Sequence, residues 1–147
     1  MKRSVLTILL LVFAQAMSAC GTGATPTLST EPLIVEDQAS FLAALRAEGA
    51  TAEVVDSISQ DFFNVEGQII TVNGADVQVF EYESAEAMEN EASQVAPDGG
   101  SIGTSMLTWI DTPHFYKTGR IIVIYIGSDE KILNLLQTVI GPQFAGR

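Results

Sequence analysis

Past Pro32, apolar and polar positions fall into short periodic blocks separated by glycine, proline and asparagine. Asp37 is placed to cap a helix whose apolar stripe is Phe41, Leu42 and Leu45, and Gly49 stands where a terminating glycine belongs. Thr51 to Ile58 reads as a strand, and Gln60 to Gly67 as a segment ending in a turn. Two β-rich runs then flank Asn73-Gly74, the dipeptide best suited to the positive φ of a tight hairpin. In the second run Gln78, Phe80 and Tyr82 share one face and Val77 and Val79 the other, so both faces expect cover.

Ser84 can cap a second helix with Ala85, Met88, Ala92 and Val95 on one side, ended by Pro97-Asp98-Gly99-Gly100. Ser105 to Ile110 reads as a strand. Ile121 to Ile126 is six apolar residues without a break, the pattern of a strand covered on both faces near a sheet centre. Ser128 is the expected cap of a last helix, with Asp129 and Glu130 in its first turn. Ile132, Leu133, Leu135, Leu136, Val139 and Ile140 form its buried side, and Gly141-Pro142 stops it. The order α-β-β-β-α-β-β-α predicts an α+β domain, one mainly antiparallel sheet with helices packed on it. From Asp76 onward, β-α-β-β-α fits a ferredoxin-like arrangement.

The first twenty residues follow a different rule. Met1-Lys2-Arg3 is a basic head, and Val5 to Ala16 is apolar except for Thr7 and Gln15. That run is shorter than the roughly 20 residues of a membrane span and reads as an export signal. Met17-Ser18-Ala19-Cys20 resembles the lipobox of bacterial lipoproteins: an apolar residue, two small ones, then cysteine. The resemblance implies a diacylglyceryl group on the Cys20 sulfur and cleavage before it. The plainer alternatives are a secreted protein with a stray cysteine beside its cleavage site and an uncleaved anchor. The reading divides the chain into a signal peptide (1–19), a lipidated cysteine with a flexible tether (20–35) and one domain (36–147). Gly21 to Pro32 is small, polar and broken by proline and glycine, a tether reaching roughly 20 Å if it behaves as a flexible coil.

Charge narrows the partners. The chain carries 18 acidic and 7 basic residues, a formal −11, and loss of Lys2 and Arg3 with the signal would make it −13. Nucleic acid is excluded as a partner, since its phosphates need a basic patch. The membrane is reached through acyl chains on Cys20. The plain role of the charge is solubility.

The chemistry-bearing residues are few. His114 is the one histidine and Cys20 the one cysteine, so the usual His/Cys metal sites are excluded and no internal disulfide can form. A serine triad could use only His114, and no Gly-x-Ser-x-Gly elbow accompanies it. The glycine-rich Gly99 to Ser105 has no lysine where a phosphate loop needs one. Glu81, Glu83, Glu86, Glu89 and Glu91 form either a solvated acidic face or a calcium site without a loop motif to fix its geometry. No catalytic residue, metal ligand or cofactor is expected.

Trp109 to Arg120 is the most distinctive stretch, read as a connection between two strands. It holds the only Trp, the only His, two further aromatics and Lys117 and Arg120. Trp109, His114, Phe115, Tyr116 and Arg120 are the candidate binding residues, since aromatics and arginine concentrate at hot spots and could receive a protein partner. The alternative is that Trp109 and Phe115 fill the end of the core, with His114 and Tyr116 hydrogen-bonded nearby. Phe62-Phe63, Gly67-Gln68, Val72 to Tyr82, Pro97-Asp98-Gly99, Ser101 to Thr104, Pro113 to Tyr116 and Gly119-Arg120 together resemble a family of bacterial lipoproteins with no assigned activity. That likeness covers most of 40–146 and implies a lipid-anchored extracytoplasmic domain in the cell envelope. The expected function is a noncatalytic accessory or binding module. The alternatives are a small hydrolase using His114 and a calcium or small-ligand binding protein.

Overall fold

Two tight turns set the register of the sheet. The computed structural model describes residues 33–147; the expected signal peptide, Cys20 and the expected tether up to Pro32 lie outside the described residues. At Asn73-Gly74 both φ angles are positive, 49° and 88°, and the strands on either side pair from Val72↔Ala75 outward. At Gly119-Arg120 a second two-residue turn joins strands that pair from Thr118↔Ile121, with Gly119 at φ 52°.

In chain order the elements are α1 (Gln38–Ala47), β1 (Ala52–Ile58), β2 (Gly67–Val72), β3 (Ala75–Glu81) and α2 (Ala85–Ala92). Then follow β4 (Ser101–Ile102), β5 (Ser105–Met106), β6 (Pro113–Thr118), β7 (Ile121–Ile126), α3 (Glu130–Ile140) and β8 (Ala145–Gly146). Six strands form one sheet in the order β1-β2-β3-β7-β6-β8, every neighbour antiparallel, while β4 and β5 make a separate two-stranded ribbon. The α+β class read from the sequence is the observed one.

The sheet is covered on both faces. Ile70, Val72, Val77, Val79, Ile121, Val123 and Tyr125 pack with Phe41 and Leu45 of α1 and Ile132 and Leu136 of α3. On the other side Phe80, Tyr82, Phe115, Ile122 and Ile124 pack with Met88 and Ala92 of α2, Phe63 and Ile102. Strict alternation along β7 therefore sends Ile121, Val123 and Tyr125 to one layer and Ile122 and Ile124 to the other, which is why its sequence shows no polar beat. Val35 is 5 % exposed and belongs to the first layer, so the core takes in one residue of the stretch read as tether.

The ferredoxin-like expectation holds for one half. β3-α2-β6 is a split β-α-β unit with β7 between its strands, but the strand after α3 pairs with β6, and β2 flanks β3. The helix starts follow local chemistry. Asp37 accepts from the Ser40 amide at 2.9 Å while Ser40 Oγ accepts from the Asp37 amide at 3.0 Å, a reciprocal cap. Ser84 caps α2 through the Ala87 amide. The cap of α3 is Asp129, one residue later than the expected Ser128, because its carboxylate reaches the Lys131 amide at 2.8 Å.

Two strand readings change. Only Ser105 and Met106 of the expected Ser105–Ile110 strand are extended in pairing; from Leu107 the chain turns to bring Trp109 against the sheet. The connection expected across 109–120 contains β6 itself. His114, Phe115 and Tyr116 are all buried, so no polar alternation marks them as a strand.

β1 is the outer strand at one edge. Glu53, Val54, Val55, Asp56 and Ser57 are exposed, and the pairing with β2 shifts by one residue between Val54 and Asp56, a bulge.

Candidate functional site

β6 divides the sequence-marked residues between its two faces. His114 is buried, at 6 % exposed. Its Nδ1 lies 2.7 Å from Oε1 of Gln143, and its ring stacks on Tyr125 with centroids 6.2 Å apart. With the Gln143 amide oxygen turned toward the ring, Nδ1 is the donor of this pair. Nε2 is sealed from solvent and has no hydrogen-bond partner.

His114 and Tyr116, two residues apart on one strand face, line a cleft of about 580 Å3. One turn after another of α3 supplies Glu130, Leu133, Asn134 and Gln137, and the return after the helix supplies Pro142, Gln143 and Arg147. Asn134, Gln137, Gln143 and Arg147 are exposed; their polar ends form the rim around two buried rings. The volume falls within the range of about 300–1,000 Å3 usual for small-ligand sites. Burial raises the Tyr116 hydroxyl above its ordinary pKa, so the cleft presents it protonated.

Phe115 points to the opposite layer and is fully buried there. Trp109 packs edge-on against Phe115 at 5.8 Å and Phe62 at 6.0 Å, and its Nε1 donates to the Gly99 carbonyl at 2.7 Å. Trp109 also lines a second cleft of about 410 Å3 with Asp98, Asp111, Thr112 and Pro113, and Arg147 lines both clefts. Met106 and Ile110, 85 % and 97 % exposed, flank that stretch of chain.

Arg120 lies at the other end of β6, across the turn. It pairs with Glu81 at 2.6 Å and Asp37 at 3.6 Å, while Glu81 also accepts from the Gln38 amide at 3.0 Å. The arginine thus fastens the start of α1 to the sheet and is four residues and a turn away from the cleft. Hydrogen bonds from the Ser40 side chain and amide, with Arg120 beside them, hold the Asp37 carboxyl below its ordinary value. Cys20 is outside the described residues.

The row of glutamates is broken by pairing. Glu81 goes to Arg120 and Glu89 to Lys117, whose ammonium also sits 5.1 Å from the Phe144 ring centre. Among the described residues no three His, Cys, Asp or Glu side chains are grouped to hold a metal ion. Gly99 to Ser105 forms the turn and ribbon of β4 and β5, with the Gly100 amide donating to Asp98. Among the described residues no helix is long and apolar enough to cross a membrane.

A second sealed polar atom is the hydroxyl of Tyr82, beside a cavity of about 290 Å3 lined by Asn64, Val65, Glu83 and Ala87. Sequence reasoning marked His114 and Tyr116 but missed Asn134, Gln137, Gln143 and Arg147. The available signal was the 3-4 spacing of Glu130, Leu133, Asn134 and Gln137, which puts a polar stripe beside the apolar side of α3. No family model, curated relative or solved structure matches the chain.

Proposed function

We propose that the chain is a bacterial lipoprotein, exported, acylated on Cys20 and held at the cell envelope, where its domain serves as a noncatalytic binding module. The observation that carries this reading is the position of the only cysteine, directly after an apolar run and two small residues. More than one acyl chain, at about 0.8 kcal/mol per buried CH2, gives a stable anchor.

The layout of the domain supports a presenting role. The incoming chain is pinned at the β6–β7 turn, where Thr118 Oγ1 donates to the Val35 carbonyl at 2.9 Å and the Arg120 amide to Glu36 at 2.8 Å. His114 lies four residues back along β6, about 13 Å at the usual strand rise. His114 therefore sits toward the end of β6 away from the point where Val35 and Glu36 join the sheet.

A binding role also suits the company His114 keeps. A hydrolase would set a carboxylate or nucleophile within about 3 Å of the imidazole. The ring's hydrogen-bond partner is instead the amide of Gln143.

The test is metabolic labelling of the full chain with radioactive palmitate in a bacterial host, followed by membrane fractionation. Label and membrane association are expected for the wild type and absent for Cys20→Ala. An unlabelled wild-type protein sinks the anchor. Turnover of ester, peptide or glycoside substrates that vanishes in His114→Ala sinks the noncatalytic role.

A further inference from the structure

We propose that Asn73 is a modification site: it deamidates through the Gly74 amide when the β2–β3 hairpin opens, and the closed turn shields it. The inference stands apart from the acyl anchor and from any ligand.

The chemistry needs only water. The Gly74 backbone nitrogen attacks the side-chain carbonyl carbon of Asn73, the new N–Cγ bond forms, the Cγ–Nδ2 bond breaks and ammonia leaves. Water then opens the resulting succinimide ring at one carbonyl or the other, leaving an aspartyl or an isoaspartyl residue. Asparagine is among the thermally labile side chains, and glycine, with no Cβ, crowds the attacking nitrogen least. Asn73 and Gly74 are both exposed, so water has access to the ring.

Two observations make the folded turn a shield. φ is 49° at Asn73 and 88° at Gly74, and the strands close at Val72↔Ala75, which defines a two-residue type I′ turn. In such a turn ψ of the first residue is about +30°, the mirror of its type I value. Ring closure requires the Gly74 nitrogen to swing about the Cα–C bond until it eclipses Cβ, and at this ψ it stands nearly opposite. The second observation is a clasp from Thr51, the residue before β1. Its amide donates to Asn73 Oδ1 at 2.9 Å and its Oγ1 at 3.3 Å, while the Asn73 amide donates to the Thr51 carbonyl at 3.0 Å. The side chain and the backbone that must rotate are therefore both held. Once made, an isoaspartyl residue does not fit back. It adds a carbon to the backbone of a hairpin whose register follows loop length, and it shortens the side chain that reaches Thr51. The strand displaced is β3, which pairs with both β2 and β7.

Ageing the full chain in mildly alkaline buffer, folded or in guanidinium chloride, tests this, with peptide mass spectrometry reading conversion at residue 73. In denaturant Asn73 should convert faster than Asn64, Asn90 and Asn134, which precede valine, glutamate and leucine. In the folded chain it should convert at least about tenfold more slowly, the effect of a local opening that costs about 1.4 kcal/mol. Thr51→Pro removes the clasping amide and should speed the folded-state reaction about fivefold, the worth of one hydrogen bond of about 1 kcal/mol. The wild-type comparison decides the matter if that variant fails to fold. The converted fraction, separated by its added negative charge, should melt below Asn73→Asp, which keeps a normal backbone. No conversion at residue 73 in denaturant would overturn the site, and equal rates in the folded and unfolded chain would overturn the shield. An unchanged rate in folded Thr51→Pro would overturn the clasp. A converted fraction that melts with Asn73→Asp would overturn the consequence for the hairpin.

Discussion

Gln143 Oε1 meets His114 Nδ1 at 2.7 Å and so ties the return after α3 to the buried face of β6. With the amide oxygen toward the ring the contact makes Nδ1 the donor, and the other nitrogen has no hydrogen-bond partner. Gln143→Leu removes the acceptor and strands a buried N–H. The expected loss is about 1–3 kcal/mol, read as a lower urea midpoint. Imidazole 15N shifts should show Nδ1 protonated in the wild type. A tautomer protonated on Nε2 would refute the assignment.

Tyr82 carries a hydroxyl that gains nothing from its surroundings. Tyr82→Phe keeps the ring that packs near Phe63 and should leave stability unchanged or raise it by up to about 1 kcal/mol. Burial first, and Glu91 second, push the phenol well above its ordinary 10.0. The folded state thus holds its proton longer than the unfolded chain does. This contribution is complete below pH 10 and is lost as pH climbs through the raised folded value. Absorbance at the phenolate band, compared between the wild type and Tyr82→Phe, should show Tyr82 ionising above the ordinary tyrosine range.

The Asp37 cap titrates with the opposite sense. Its folded value lies below 3.8, so its contribution is present above 3.8 and is lost as pH falls through the lower folded value. Melting temperature should therefore drop more steeply below pH 4 in the wild type than in Asp37→Asn, which keeps a capping oxygen without the charge. Parallel acid limbs would show that the cap does not contribute.

Gly119 combines a φ of 52° with an added Cβ that would collide with the backbone of Glu36. Gly119→Ala should cost about 1–3 kcal/mol through overpacking alone, with left-handed strain added to it. Gly74→Ala has the same sign of φ but open space, and is the control for strain without collision. Equal losses in the two would show that the incoming chain does not press on this turn.

The pattern of β7, the Asn73-Gly74 hairpin and the caps at Asp37 and Ser84 were legible because each depends on residues within one element or turn. β6 was hidden because its burial comes from β7, β8 and α3, which lie far along the chain. The same reason governs the site. His114 and Tyr116 stood out by composition, whereas Gln143 became relevant only once the chain had turned back after α3. Phe115 and Trp109 went to the opposite layer because strand alternation separates neighbours that composition groups together. Arg120 was grouped with them by sequence distance and is separated by the length of the strand.

The bulged outer strand acquires a particular meaning if the chain is tethered by lipid. Molecules confined to a surface share two dimensions, so their encounters are far more frequent than at the same amount in bulk. An open sheet edge is then the place where neighbours would zip together into growing ribbons. β1 presents Glu53 and Asp56 there, and the register break at Val55 interrupts any straight ladder. Crowding on a membrane is the condition under which that irregularity would do most to keep each copy separate.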